Sequence, residues 1–220
     1  MEKKQFYCSA ESITSGLLHL WGVLLSIGGT VLLILFSVNQ EAPPIKLVSF
    51  CIYGASLILL FSASTIYHIF YISPTVHRRL RKVDHSMVFC LIAGSYTPIC
   101  LLCLKGLLGW ISLILIWSMA LVGIIGKIFW FKESKWFSAT IYLIMGWGIV
   151  LLVKPLSESV AFEGIVWLFV SGILYSIGAF IYASKKCQFQ IPGFGSHELF
   201  HLFVLAGAAS HYYMIFQYVL

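Results

Sequence analysis

The chain has 220 residues, 60% of them hydrophobic and only 10% charged, with a net charge of +6. Soluble globular domains carry about 25% charged residues, so this composition excludes a soluble enzyme and describes an integral membrane protein. The positive balance is no nucleic-acid signature either, because the basic residues sit in short connections between apolar runs, where they orient a chain in the bilayer.

A hydrocarbon core is crossed by about 20 apolar residues in helical conformation. Seven runs reach or approach that length: 16–36, 47–71, 84–104, 107–130, 136–153, 162–183 and 197–220. The first is preceded by Glu2, Lys3, Lys4 and Glu11 and is too long for the apolar region of a signal peptide, so it is expected to remain as a span. The breaks between runs are polar or rich in turn residues. They are Asn39 to Pro44, Ser73 to Lys82, Lys105-Gly106, Lys132 to Lys135, Pro155 to Ser159, and Lys185 to Ser196 with Pro192, Gly193 and Gly195. None is long enough for a separate soluble domain. The expected fold is all-α, one seven-transmembrane-helix bundle over residues 1–220.

The basic residues set a direction. Alternate connections, together with the N-terminal tail, hold Lys3, Lys4, Arg78, Arg79, Arg81, Lys82, Lys127, Lys132, Lys135, Lys185 and Lys186. The opposite side holds only Lys46, Lys105 and Lys154. This bias predicts a cytoplasmic N-terminus and an external C-terminus. Trp130 and Trp136 flank the fourth connection as interfacial anchors, and Trp110 serves at the outer face. The six cysteines are scattered. Cys100 and Cys103 form a C-x-x-C inside an apolar helix, a spacing that reads as packing and not as a disulfide. Gly123, Gly126, Gly172 and Gly178 permit close helix approach, within the chain or between chains, and leave the oligomeric state open.

Direction fixes depth. His68 closes the second span at its cytoplasmic end, while Asp84, the only aspartate, and His197 open spans three and seven at the same face. His197 and His201 are four residues apart, so both imidazoles share one helix face. Ionisable residues at membrane depth are expensive and mark function by default. A lone membrane histidine is often only a hydrogen-bonded packing residue, but an i,i+4 pair converging with a third histidine and an aspartate describes a metal site. Neutral imidazole suits zinc, and three protein ligands leave an open position. His68, His197 and His201 are the expected ligands. Ser64 lies one turn before His68, within reach of the metal's water or a substrate carbonyl. Two roles are open to Asp84: general base, or a carboxylate that orients a ligating histidine.

Other titratable residues are weaker candidates. His77 belongs to the basic connection and is expected to be solvated; His85 points about 100° away from Asp84 on the helix. His211 lies too deep to join the metal and is expected to bond a neighbouring helix. His19 and Glu11 precede or open the first span, and Glu11 is expected to pair with the basic connections. The pattern His197-Glu198-x-x-His201 also matches the zincin signature, in which the glutamate is the base. The third zincin ligand usually follows downstream, and only 19 residues follow His201. Glu198 therefore reads as an acidic residue placed at a helix start by the helix dipole.

At these residues the chain resembles the haemolysin III family. The resemblance is carried by Cys51 to Ser56 and Ser64 to His68 in the second span. It continues through Asp84-His85 and Ala93 to Pro98 in the third, Met145-Gly146-Trp147 in the fifth, and His197, His201 and His211 in the last. It covers essentially the whole chain. That family is similar to the progestin and adiponectin receptors and, more distantly, to alkaline ceramidases. The resemblance implies zinc held by His68, His197 and His201, with Ser64 and Asp84 beside its water, in a multi-pass protein of the bacterial inner membrane. It also implies hydrolysis of a lipid amide or ester, with membrane lipids and a lipid-like substrate as partners. Two alternatives stand beside this: a receptor-like sensor with structural zinc, and the pore-forming cytolysin of the family's name. The first span departs from the family pattern. It has a single Glu11 for a glutamate pair, Ser15 for an asparagine, and His19-Leu20-Trp21-Gly22 for His-Gly-x-Gly. Glu198 is not a family hallmark.

Overall fold

The computed structural model describes residues 10–129, 135–184 and 190–220. Lys3, Lys4, Cys8, Trp130, Lys132, Lys185, Lys186, Cys187 and the Glu11 side chain lie outside the described residues. The elements in order are α1 (Ala10–Asn39), α2 (Pro44–Ile69), α3 (Pro74–Pro98) and α4 (Gly106–Phe129). They continue with α5 (Lys135–Trp147), the short α6 (Val153–Leu156), α7 (Phe162–Ala183), strands β1 (Gln190–Ile191) and β2 (Phe194–Gly195), and α8 (Ser196–Tyr218). Among the described residues seven helical stretches are long and apolar enough to cross a membrane. The seven-span all-α bundle expected from the sequence is the architecture observed.

Helices α1 and α2 pack together, α2 packs on α3, α3 on α4, α5 on α7, and α7 on α8, while α8 returns to α1. Phe50, Tyr53, Phe61, Phe89, Met145, Leu156, Met214 and Ile215 fill the interior. The outward faces stay apolar: Leu25, Val122 and Phe162 are among many exposed large side chains, as lipid-facing surfaces require. Trp110 and Trp136 are likewise exposed. Of the small residues singled out in the sequence, Gly123 packs closely within the chain, and Gly94 does so as well. A Cβ on Gly123 would meet the Phe89 ring at 2.4 Å, and one on Gly94 would meet Ser56 Oγ at 2.2 Å, so α3 approaches both α2 and α4 closely.

Four local features differ from the expectation. First, α3 starts at Pro74, ten residues ahead of the expected span. Ser73 caps it by accepting a hydrogen bond from the Val76 N–H at 3.3 Å, and Pro74 suits the first turn. The basic stretch around His77 to Lys82 is therefore helix, and the partly exposed His77 also packs against the rings of Tyr67 and Tyr71 at 4.7 and 5.2 Å. Second, α3 ends in a π-helical turn at Ile99–Cys103, following Pro98, which has no N–H to continue the ladder. Cys100 and Cys103 are buried there as free thiols. Third, the fifth span is broken: α5 gives way to a 3₁₀ stretch at Gly148–Leu152 before α6. The Tyr96 hydroxyl donates toward the carbonyls of Met145 and Gly146, both at 2.9 Å, and so satisfies backbone groups freed at the break. Fourth, the connection before α8 contains a two-stranded hairpin, with Ile191 opposite Phe194. Pro192 and Gly193 form its turn, and the φ of +75° at Gly193 is one that glycine tolerates.

The charge map changes with this. Lys127, counted among the orienting residues of a connection, lies in the last turn of α4 and is only 5% exposed, with Nζ donating to Ser138 Oγ at 3.1 Å.

Candidate metal centre

His68 stands in the last turn of α2, and His197 and His201 in the first two turns of α8. Helix α8 is held in place at its start. Gly195 precedes it, and the Gly195 N–H donates to Glu198 Oε2 at 2.7 Å, which closes one half of a capping box. Glu198 Oε1 accepts a second hydrogen bond, from the Ser15 hydroxyl of α1 at 2.6 Å. Both carboxylate oxygens are thus engaged, and the side chain is 1% exposed. Glu198 serves the helix start, as the sequence suggests, and stands where it anchors α8 to α1.

The three ring nitrogens converge. His197 Nε2 lies 3.3 Å from His68 Nε2 and 3.1 Å from His201 Nε2. Together the three residues offer ligand atoms all within 4.8 Å of one another. A tetrahedral zinc with Zn–N bonds of about 2.0–2.1 Å would separate its nitrogens by roughly 3.3–3.4 Å, so the donor set and its spacing fit such an ion. Among the described residues no other cluster of histidine, cysteine or carboxylate side chains meets this criterion. Asp84 is not part of the group, which leaves it free of a ligand's role.

A fourth histidine, weighed from the sequence only as a weaker candidate, joins the cluster from α1. His19 is 3% exposed, and its Nε2 lies 2.6 Å from His201 Nδ1. An imidazole that gives its Nε2 lone pair to a metal carries its proton on Nδ1; with a metal bound, His201 would donate that proton to His19 Nε2. Such partners fix the ring and raise ligand basicity. The signals in the sequence were a histidine inside an apolar span and its place at the histidine of the family's first-span pattern, neither with a spacing to tie it to α8.

The cluster opens onto an internal cavity of about 440 Å³, in the range of small-molecule sites. Ser64, Asp84 and His85 line it beside His197 and His201, and Val88, Trp147 and Phe169 give it apolar walls. Ser64 stands beside the Asp84 carboxylate, but its buried Oγ meets no partner at hydrogen-bond geometry. His85 does share this cavity: its Nε2 is 4.0 Å from Asp84 Oδ2, the freedom of both side chains having overcome their 100° offset at Cα. His211 bonds a neighbouring helix as expected, with Nε2 3.4 Å from the Ser95 carbonyl oxygen. The structure thus brings together all five residues named from the sequence.

Fold and site define a class: a multi-pass, seven-helix membrane protein with a buried three-histidine site able to hold a metal ion. The chain belongs to the haemolysin III family, whose model, described as Haemolysin-III related, matches residues 6–212. It is 41% identical over 212 residues to the Hemolysin-3 homolog of Bacillus subtilis (strain 168), covering 94% of each chain. Hemolysin-3 of Bacillus cereus is 38% identical over 210 residues, covering 96% of this chain and 92% of its own. The human Monocyte to macrophage differentiation factor is 31% identical over 172 residues, or 76% of this chain and 69% of its own.

Proposed function

We propose that this protein is a zinc-dependent hydrolase of a lipid-like amide or ester, with its site toward the cytoplasmic face of the bacterial plasma membrane. The observation that carries this reading is the spacing of three histidine nitrogens, 3.1 and 3.3 Å, at the edge of a mostly apolar cavity that also holds Asp84 and Ser64. Bound by three neutral imidazoles, zinc supplies Lewis acidity and an acidified water. Asp84 takes the proton released as the water's oxygen adds to the acyl carbon, and returns it to the leaving amine or alcohol as that bond breaks. Ser64, with its hydroxyl unspent, orients the substrate carbonyl. The apolar walls admit an acyl chain from the lipid and keep bulk water away.

Metal analysis of the purified protein tests the first half. Stoichiometric zinc in the wild type, lost in His68→Ala, is the expected result; wild-type protein without zinc overturns it. Turnover of a panel of long-chain N-acyl amides and esters tests the second. Asp84→Asn should keep its zinc and lose at least about 10²-fold in kcat. Full turnover in that variant would remove Asp84 from the role of base.

A structural role for zinc is the second reading, favoured by the origin of the ligands on two helices, α2 and α8, that an ion would tie together. Chelation separates the two. A catalytic ion leaves the bundle folded and inactive, whereas a structural one takes the bundle with it. The cytolytic reading, suggested by the names of the Bacillus relatives, predicts liposome leakage that persists in His197→Ala and His201→Ala.

A further inference from the structure

A lysine that only orients a span sends its ammonium out to the interface along its flexible stem. Lys127 does the opposite. It is 5% exposed at the end of α4 and lines the cavity that holds the histidines. Three further cations line the same cavity: Arg81 and Lys82 from α3, and Lys135 from the start of α5. Lys82 Nζ donates to the Ile128 carbonyl at 2.6 Å, bridging α3 to the end of α4. Lys135 Nζ stands 5.0 Å from the centre of the Tyr182 ring. All four belong to the end of the cavity where α2 finishes and α8 begins. Among the described residues Asp84 is the one carboxylate that lines it. These four cations outnumber the one carboxylate, and at Lys127, only 5% exposed, water screens charge poorly. A neutral amide headgroup offers these side chains a hydrogen-bonding carbonyl but no opposite charge.

We propose that the polar end of the cavity is an anion subsite, and that the lipid-like ligand carries a phosphate or carboxylate on its headgroup. Lys127 is its inner contact, with Arg81, Lys82 and Lys135 around it. The assignment of the ligand as a substrate rests on the hydrolase reading; the binding of an anion does not.

The test compares single-chain ligands of equal length, titrated into zinc-loaded protein in a neutral detergent and read by calorimetry. Tetradecyl phosphate should bind at least about tenfold more tightly than tetradecyl phosphocholine or tetradecanol. Inorganic phosphate alone distinguishes a free anion from a lipid headgroup: binding as tight as that of the alkyl phosphate would overturn the lipid assignment. Lys127→Met should lose at least about tenfold in alkyl phosphate affinity while keeping its zinc, and Lys127→Arg should restore it. If Lys127→Met fails to fold, Lys135→Gln and Arg81→Gln at the rim should each weaken alkyl phosphate and leave the phosphocholine unchanged. Equal affinity for the phosphate, the zwitterion and the alcohol would overturn the subsite. Anion-selective binding in protein that hydrolyses nothing would keep the subsite and remove the hydrolase. Turnover that ignores headgroup charge would do the reverse.

Discussion

The residues that carry the site differ in how far their sequence announces them. His197 and His201 declare themselves by a four-residue spacing, and His68 by its place at the end of the preceding inward-running span, because both signals depend only on helix period and span alternation. His19 declares itself only as a weaker candidate at the family's first-span histidine, since its role depends on how α1 leans on α8, which no local pattern encodes. Replacing it tests that role: His19→Phe should lower zinc affinity about 10–100-fold while leaving helical content unchanged, measured by competition with a chelator of known affinity. Unchanged affinity would mean that the 2.6 Å contact with His201 does not orient the ligand. Ser15 and Glu198 are a second case. Each departs from the family pattern when taken singly, yet they meet at 2.6 Å. A double-mutant cycle with Ser15→Ala and Glu198→Gln, followed by thermal denaturation in detergent, should give a coupling of about 1–3 kcal/mol. Additive effects would mean that the Ser15–Glu198 contact contributes no coupling to stability.

At the scale of elements, the long apolar runs were legible and their interruptions were not. The expected third span began at Asp84 because Arg78 to Lys82 read as a connection; Ser73 and Pro74, a cap followed by a first-turn proline, were the helix signal within it. The break after Trp147 depends on Tyr96, fifty residues earlier in the chain, to satisfy its carbonyls, so it is a tertiary event. The tight turn between the π-helical end of α3 and α4 imposes a measurable demand. A Cβ on Gly109 would stand 2.2 Å from the Cys100 carbonyl oxygen, a backbone atom that cannot rotate away. Gly109→Ala should therefore destabilise the protein by about 1–3 kcal/mol. Gly28→Ala, with nothing within 4 Å of the new atom, should be neutral or stabilise α1 by about 0.5–1 kcal/mol. Equal melting temperatures for the two variants would contradict this account.

For the whole molecule, the orientation inferred from lysine and arginine is a separate proposition from the fold. Lys127 no longer counts toward it, but the remaining bias points the same way. Reporters fused at 40–43 and 157–160 should be external and one fused at residue 73 cytoplasmic; the reverse would turn the cavity mouth outward and exclude a cytoplasmic substrate. The bundle also closes on itself, because α8 packs against α1 and two of the three clustered histidines lie on α8. A chain made from its N-terminus inserts His19 and Ser15 first and His197 and His201 last. The three histidines therefore cannot meet until α8 has been made, and nascent chains stalled before Ser196 should take up no zinc on the proposed reading.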